Sequence, residues 1–304
     1  MMNFKEFSGN VLKEIRERAD GEFEAAISSV VKNNGIELTG ISATAKGSTT
    51  GPCIYLDSFY EEYQKEGMQF QEAVDEIHRL LTEHLADAEG FDLSGFLDWK
   101  AVKGSIRAEL VNAGQNGGRL KAMPHRGFLD MAVIYYAVVS SSSEQNAGTV
   151  FIRNDHMEMW GQDEESLYRA AVHNMRSDGE PDFESMESVI RRILPESDGL
   201  CGESGLQTPI GMYVLTNRRR CYGASEILDR DTLRMIADRV GDGFIVLPSS
   251  VHEVIILGPQ DEPGYGKLAD MVREVNDTQV DGEEILSYHV YVYSREEEML
   301  RIVV

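Results

Sequence analysis

Apolar residues recur at helical spacing from the start of the chain, where Phe4, Phe7, Val11 and Ile15 form one stripe and predict an opening helix of about four turns that Gly21 ends. From Phe23 the pattern shortens around Lys32-Asn33-Asn34-Gly35. Asn-Gly between β-compatible flanks predicts a hairpin, because both turn residues accept a positive φ. A Gly/Ser/Thr loop at 46–52 and a third strand from Cys53 to Leu56 follow. Two helices come next, the second striped by Phe70, Val74, Ile77, Leu81, Leu85 and Ala88. The helical period lapses between Gly90 and Asp98, which sets a boundary between a first domain over 1–90 and a larger one over 91–304.

Ile106–Val111 reads as a strand leading to the polar loop Asn112–Gly118. Phe128–Val139 is the most apolar segment and predicts a strand buried on both faces, interrupted by Asp130. A carboxylate there must be paired or lie at the strand mouth, as an edge residue or as an acid that contacts a ligand. Beyond the loop Ser140–Ala147, Val150–Asn154 and Tyr213–Asn217 each run from a strand through Asn to a short and then a longer helix, with Asp163, Glu164 and Glu165 opening the first long helix. This suggests a degenerate repeat over about 127–195 and 210–304. The glycine-rich stretch Glu196–Thr208 between them reads as a linker. Strands at Phe244–Leu247 and Val254–Leu257, a helix carrying Leu268, Met271, Val272 and Val275, and strands near Ser287–Tyr293 and Met299–Val303 complete the chain. The sum predicts an α+β protein with mixed, mainly antiparallel sheets flanked by helices.

Composition narrows the function classes. The longest apolar run, Met131–Val139, is nine residues, whereas a membrane helix needs about 20. The charged positions threaded through residues 1–20 fit an amphipathic helix rather than a secretory segment, so the cytoplasm is the expected compartment. Three cysteines, Cys53, Cys201 and Cys221, are too few and too dispersed for a disulfide framework or a zinc site. The formal charge is −23 and it is regional. Residues 57–90 carry 10 acids against 2 bases, 155–189 carry 10 against 2, and 261–299 carry 11 against 3, so each block nets −8 and the other 196 residues are nearly neutral. Such a field disfavours direct nucleic-acid binding. It serves solubility, or attracts a basic protein. The single basic cluster, Arg218-Arg219-Arg220, reads as a solvated loop.

Candidate chemistry is sparse. Ser249, Ser250, His252 and Glu253 crowd one turn between two strands, but Ser250 and His252 share a face while Glu253 points away. A catalytic triad would need its acid from elsewhere, with Asp130 the candidate. A structural turn or a binding rim uses the same groups. Gly202-Glu203-Ser204-Gly205 is not a nucleophile elbow, Gly264-Tyr265-Gly266-Lys267 is not a phosphate loop, and His252-Glu253 lacks the second His of a metalloprotease pattern. Asp277–Glu284 is not a calcium loop. His78 and His84, six residues apart, do not stack as ligands, and Cys221 beside three arginines is a weak candidate thiol. No cofactor and no metal are expected.

The stretches Asn33-Asn34-Gly35, Ile54-Tyr55-Leu56, Pro124-His125, Leu129-Asp130, Trp160-Gly161, Tyr213–Asn217, Gly223-Ala224 and Leu247–Val254 resemble the bacterial domain-of-unknown-function family 5688. The run from Tyr213 to Val254 is also similar to the uncharacterised family numbered 1444. The resemblance implies a bacterial cytoplasmic protein and assigns no catalytic residue. The leading expectation is a binding or interaction module for a protein or a small ligand, with a rim formed by Asn217, Tyr222, Ser249, Ser250 and His252. The alternatives are a hydrolase using Ser249 or Ser250 with His252, and an acidic decoy for a basic nucleic-acid-binding protein.

Overall fold

Asn3 caps the first helix, accepting from the Glu6 amide at 2.9 Å while Glu6 accepts from the Asn3 amide at 3.0 Å, so two amides that helix geometry leaves unpaired are satisfied. In a computed structural model that describes residues 2–48, 51–88, 94–140, 147–193, 211–259 and 264–304, this helix is α1, Phe4–Ala19. It ends where Asp20 and Gly21 turn left-handed. Strands β1 (Phe23–Val31) and β2 (Glu37–Ala45) form the expected antiparallel hairpin. The turn between them rests on Asn34 and Gly35, both at positive φ. β3 (Cys53–Tyr55) pairs with the other side of β2. Helices α2 (Leu56–Glu61) and α3 (Phe70–Ala88) follow. Phe7, Val11 and Ile15 of α1, Ile41 of β2, and Val74, Ile77 and Leu81 of α3 close one core without exposure. Truncating Ile15, Ile41, Ile77 or Leu81 to alanine costs about 2–5 kcal/mol.

The chain divides into two compact units, 1–96 with 138–150, and 97–137 with 151–304. The second begins with the short helix α4 (Trp99–Val102) and β4 (Ile106–Asn112). Next along the chain come the helical turn α5 (Gly117–Leu120), β5 (Arg126–Phe128), β6 (Met131–Ser140) and β7 (Ala147–Phe151), of which 138–150, the end of β6 and nearly all of β7, belong to the first unit. The strand expected over 128–139 is therefore two, with a tight turn at Leu129-Asp130 that pairs Phe128 with Met131. Leu129 takes a φ of 58° there, a conformation normally left to Gly or Asn. The turn was invisible in the sequence for that reason. β6 is otherwise as buried as its composition requires, from Met131 through Ala137.

Helices α6 (Asn154–Trp160) and α7 (Glu164–Ser177) lead to β8 (Asp182–Ser185) and α8 (Met186–Ile193). Asp163 caps α7 through the Ser166 amide at 2.9 Å. β9 (Met212–Thr216), a 3₁₀ segment at Gly223–Leu228 and α9 (Arg230–Val240) come next. The last elements are β10 (Ile245–Leu247), β11 (Val254–Leu257), α10 (Tyr265–Gln279), β12 (Tyr291–Ser294) and β13 (Met299–Ile302). Six of these strands form one sheet in the order β13-β12-β10-β11-β9-β8, and every described register in it is antiparallel. The protein is α+β with mainly antiparallel sheets. The two strand-helix-helix runs place their strands, β7 and β9, in different sheets. The linker expected over 196–208 lies outside the described residues, and no helix among the described residues is long and apolar enough to cross a membrane.

Candidate functional site

The turn 217–223 and the turn 248–253 meet through backbone and side-chain bonds. Asn217 folds its amide over its own loop, donating to the Cys221 carbonyl at 2.8 Å and accepting from the Arg219 amide at 3.1 Å. This turns Tyr222 left-handed, at a φ of 55°, and aims its amide at His252 Nδ1, 3.1 Å away. The Tyr222 and His252 rings stack at 5.5 Å. Thr216 Oγ1 donates to the His252 carbonyl at 2.7 Å. Gly223 sits at the centre of this junction, where an added Cβ would come within 2.2 Å of Thr216 Oγ1 and 2.6 Å of the His252 carbonyl oxygen. Only glycine fits.

The same bonds fix what His252 can do. Its Nδ1 accepts, so the ring proton is on Nε2, 3.4 Å from Glu284 Oε1. Ser250 Oγ accepts from the His252 backbone amide at 3.1 Å and does not bond the ring. The Ser249 carbonyl accepts from the Leu286 amide at 3.1 Å. Asn217, Tyr222, Ser250 and His252 thus come together, with both nitrogens of the imidazole already engaged.

Asp130, considered as an orienting acid for His252, is bound elsewhere. Its carboxylate accepts from Ser287 Oγ at 2.7 Å, from His289 Nδ1 at 2.9 Å and from the Tyr291 hydroxyl. The acid facing His252 is Glu284. Burial of Asp130 works against ionisation, yet the Tyr291, Ser287 and His289 donors hold its carboxyl below the usual range. The tight turn at Leu129 is what delivers Asp130 to these groups.

A cavity of about 210 Å³ opens beside the 217–223 turn, lined from β4 by Arg107, from β6 by Tyr136, from the end of α7 by Asp178, from the turn by Asn217, Arg218 and Arg219, and from the 3₁₀ segment by Glu226. Arg107 grips Asp178 with two bonds of 2.7 Å, and Arg219 reaches the same carboxylate at 2.8 Å. Burial opposes the Asp178 charge, but Arg107 and Arg219 hold its carboxyl low. A second cleft, of about 560 Å³, shares Met175, Gly179–Pro181 and Glu226 with the first. Glu226 therefore lies in the wall between the two. It is 6% exposed and its carboxyl has no hydrogen-bond or ion-pair partner among the described residues. Burial, reinforced by the charges of Asp229 and Asp178, pushes it up to about 8.

Arg107, Tyr136 and Glu226 were missed in the sequence, where each looks like an ordinary element residue. Nothing local in Gly223-Ala224-Ser225-Glu226 signals that its acid is buried. Among the described residues no group of three or more His, Cys, Asp or Glu could hold a metal ion. The model of a family described as of unknown function, DUF5688, matches residues 4–295. No curated protein and no solved structure matches the chain.

Proposed function

Because the chain belongs to DUF5688, a family of unknown function, its role has to be read from its own geometry, and we propose that it is a binding module that takes a small ligand in the cavity beside the 217–223 turn. The observation that carries this reading is Glu226. A buried carboxyl without a partner costs stability, and groups of this kind concentrate where a ligand supplies the missing contact. The neighbouring cleft gives a ligand room to extend. In this reading the protein is bacterial and cytoplasmic, in keeping with the resemblance of Tyr213–Val254 to the family numbered 1444.

The test is a thermal-shift screen of small carboxylates, phosphates, amines and sugars against the wild type and Arg218→Glu. A ligand at 100 times its Kd stabilises the fold by about 2.7 kcal/mol, enough for a clear shift. Saturable stabilisation of the wild type alone is expected. No stabilisation by any compound, or equal response of both proteins, overturns the reading.

The hydrolase reading rests on the pairing of His252 with Glu284, and it has less support because the Tyr222 amide and Glu284 engage both ring nitrogens, so neither faces a serine hydroxyl. The decoy reading rests on the acidic blocks. Much of that acid is engaged locally, as in Glu184 with Arg192, Glu187 with Arg191 and Glu298 with Arg234.

A further inference from the structure

The cavity runs against the charge of the chain. Three arginines, Arg107, Arg218 and Arg219, face Asp178 and Glu180 across it, so it carries one net positive charge while Glu226 is protonated, in a protein of formal charge −23. Arg107 and Arg219 are both committed to Asp178. Arg218 is not. Its guanidinium lies over Gly179, where an added Cβ would stand 2.9 Å from Cζ, and its Nε donates only to the Glu180 carbonyl at 3.3 Å. No carboxylate of the described residues lies within ion-pair distance of it.

Two neutral groups complete the set. Tyr136 lines the cavity, its hydroxyl has no hydrogen-bond partner among the described residues, and burial holds the phenol well above its ordinary value, so it stays a donor. The Glu226 carboxyl is equally unmatched. The other polar groups of the wall are used: Ser225 Oγ donates to the Tyr222 carbonyl at 2.8 Å, and the Asn217 amide closes its own turn. What remains is one cation, two neutral donors and the carboxylate of Glu180, which is exposed to solvent and has no ion pair among the described residues.

We propose that the cavity binds the oxyanion of a small ligand, a carboxylate, sulfate or phosphate group, with Arg218 supplying the charge and Tyr136 and the Glu226 carboxyl the hydrogen bonds. This rests on the small-ligand reading above and specifies its chemistry. A cationic ligand fails on the same inventory. It would face Arg218 unpaired and would need Glu226 ionised beside Asp178 and Asp229. These charged groups around Glu226 are held in ion pairs. Asp178 is held by Arg107 and Arg219, Arg176 is bound to Asp229 at 2.6 Å and Asp231 at 2.9 Å, and Asp182 is bound to Arg220 at 2.9 Å. Among the carboxyls that line the cavity Glu226 is the one pushed up to about 8, and its ionisation withdraws a donor and adds a repelling charge; Glu109 on β4, pushed up to the same value and acting on Tyr136, is outside the lining and is common to every variant compared.

Sulfate and acetate do not titrate in that interval, so they isolate the protein's own proton. Their dissociation constants are measured at pH 6.5 and 9.0 for the wild type, Glu226→Gln and Arg218→Gln, with methylammonium as the cationic probe. The wild type is expected to bind both anions and to lose about tenfold in affinity at pH 9.0. Glu226→Gln, which keeps a neutral donor, binds within about threefold of the wild type at pH 6.5 and loses most of the pH dependence, the remainder being what Glu109 imposes through Tyr136. Arg218→Gln loses at least tenfold at both values. Affinity for the anions that is flat or rising with pH in the wild type, or a preference for methylammonium, overturns the oxyanion assignment and leaves a small-ligand site standing. Binding of none of the three probes by a wild type that responds to a neutral compound also overturns the assignment alone, and response to nothing overturns both.

Discussion

Replacing Glu109 with glutamine should stabilise the protein, by an amount that grows with pH. Glu109 stands on β4 at 2% exposure, its Oε2 has no hydrogen-bond partner, and no ion pair holds its carboxyl. Arg119, whose guanidinium lies 4.6 Å from the centre of the Phe151 ring, offsets the burial only in part, and the carboxyl is pushed up to about 8. The unfolded chain releases this proton near its ordinary value of 4.5. Between the two values the folded state holds a proton that the unfolded state has lost, so stability falls as pH rises and levels off above 8. At about 1.36 kcal/mol per pH unit the penalty is about 3 kcal/mol by pH 7 and approaches 5 kcal/mol at the plateau. Glutamine never ionises and keeps the shape. Thermal melts of wild type and Glu109→Gln at pH 5, 7 and 8.5 should therefore start close together and separate, by about 2–4 °C per kcal/mol for a unit of this size. Glu226 bends both curves alike and cancels in the difference. Parallel curves, or a variant less stable than the wild type at pH 8.5, would refute the reasoning.

Asp130→Ala removes the acceptor shared by Ser287, His289 and Tyr291, and urea unfolding should show a loss of about 2–3 kcal/mol at pH 7. Because the Asp130 carboxyl is held low in the fold, its contribution is present above its ordinary value of 3.8 and disappears as pH falls through the lower folded value, so wild type and variant should converge in acid. Gly223→Ala forces a methyl group against Thr216 Oγ1 and the His252 carbonyl, and a loss of about 1–3 kcal/mol with disturbed ring signals of Tyr222 and His252 is expected; an unchanged melt would mean the junction is looser than described. His252→Phe keeps a ring against Tyr222 but leaves its amide without an acceptor, so a loss of about 1–3 kcal/mol should appear in the same melts.

Helical stripes and the Asn-Gly turn announced the first unit almost residue by residue, because each is a local signal: Phe7, Val11 and Ile15 share a face whatever they pack against. The second unit was legible where apolar content is dense, as in β6, β10 and β11. It was not legible at Leu129, where tertiary bonds to Asp130 hold a leucine in a conformation its side chain disfavours. Nor was it legible at β8, whose Asp182-Phe183-Glu184-Ser185 has no apolar alternation and forms as an edge strand against β9. That the turns carrying Asn217, Tyr222, Ser249, Ser250 and His252 meet could be anticipated, because polar ends of neighbouring strands converge. The cavity could not. Glu226, Tyr136 and Arg218 come from a 3₁₀ segment, a core strand and a basic turn that had read as solvated, and only their missing partners distinguish them.

Amide chemical-shift mapping with sulfate at pH 6.5 tests the central claim most directly. The account predicts saturable shifts confined to Ala108, Tyr136, Asn217–Arg219 and Ser225–Glu226, and their loss in Arg218→Gln. Shifts centred on any other face, or undiminished in that variant, would contradict it.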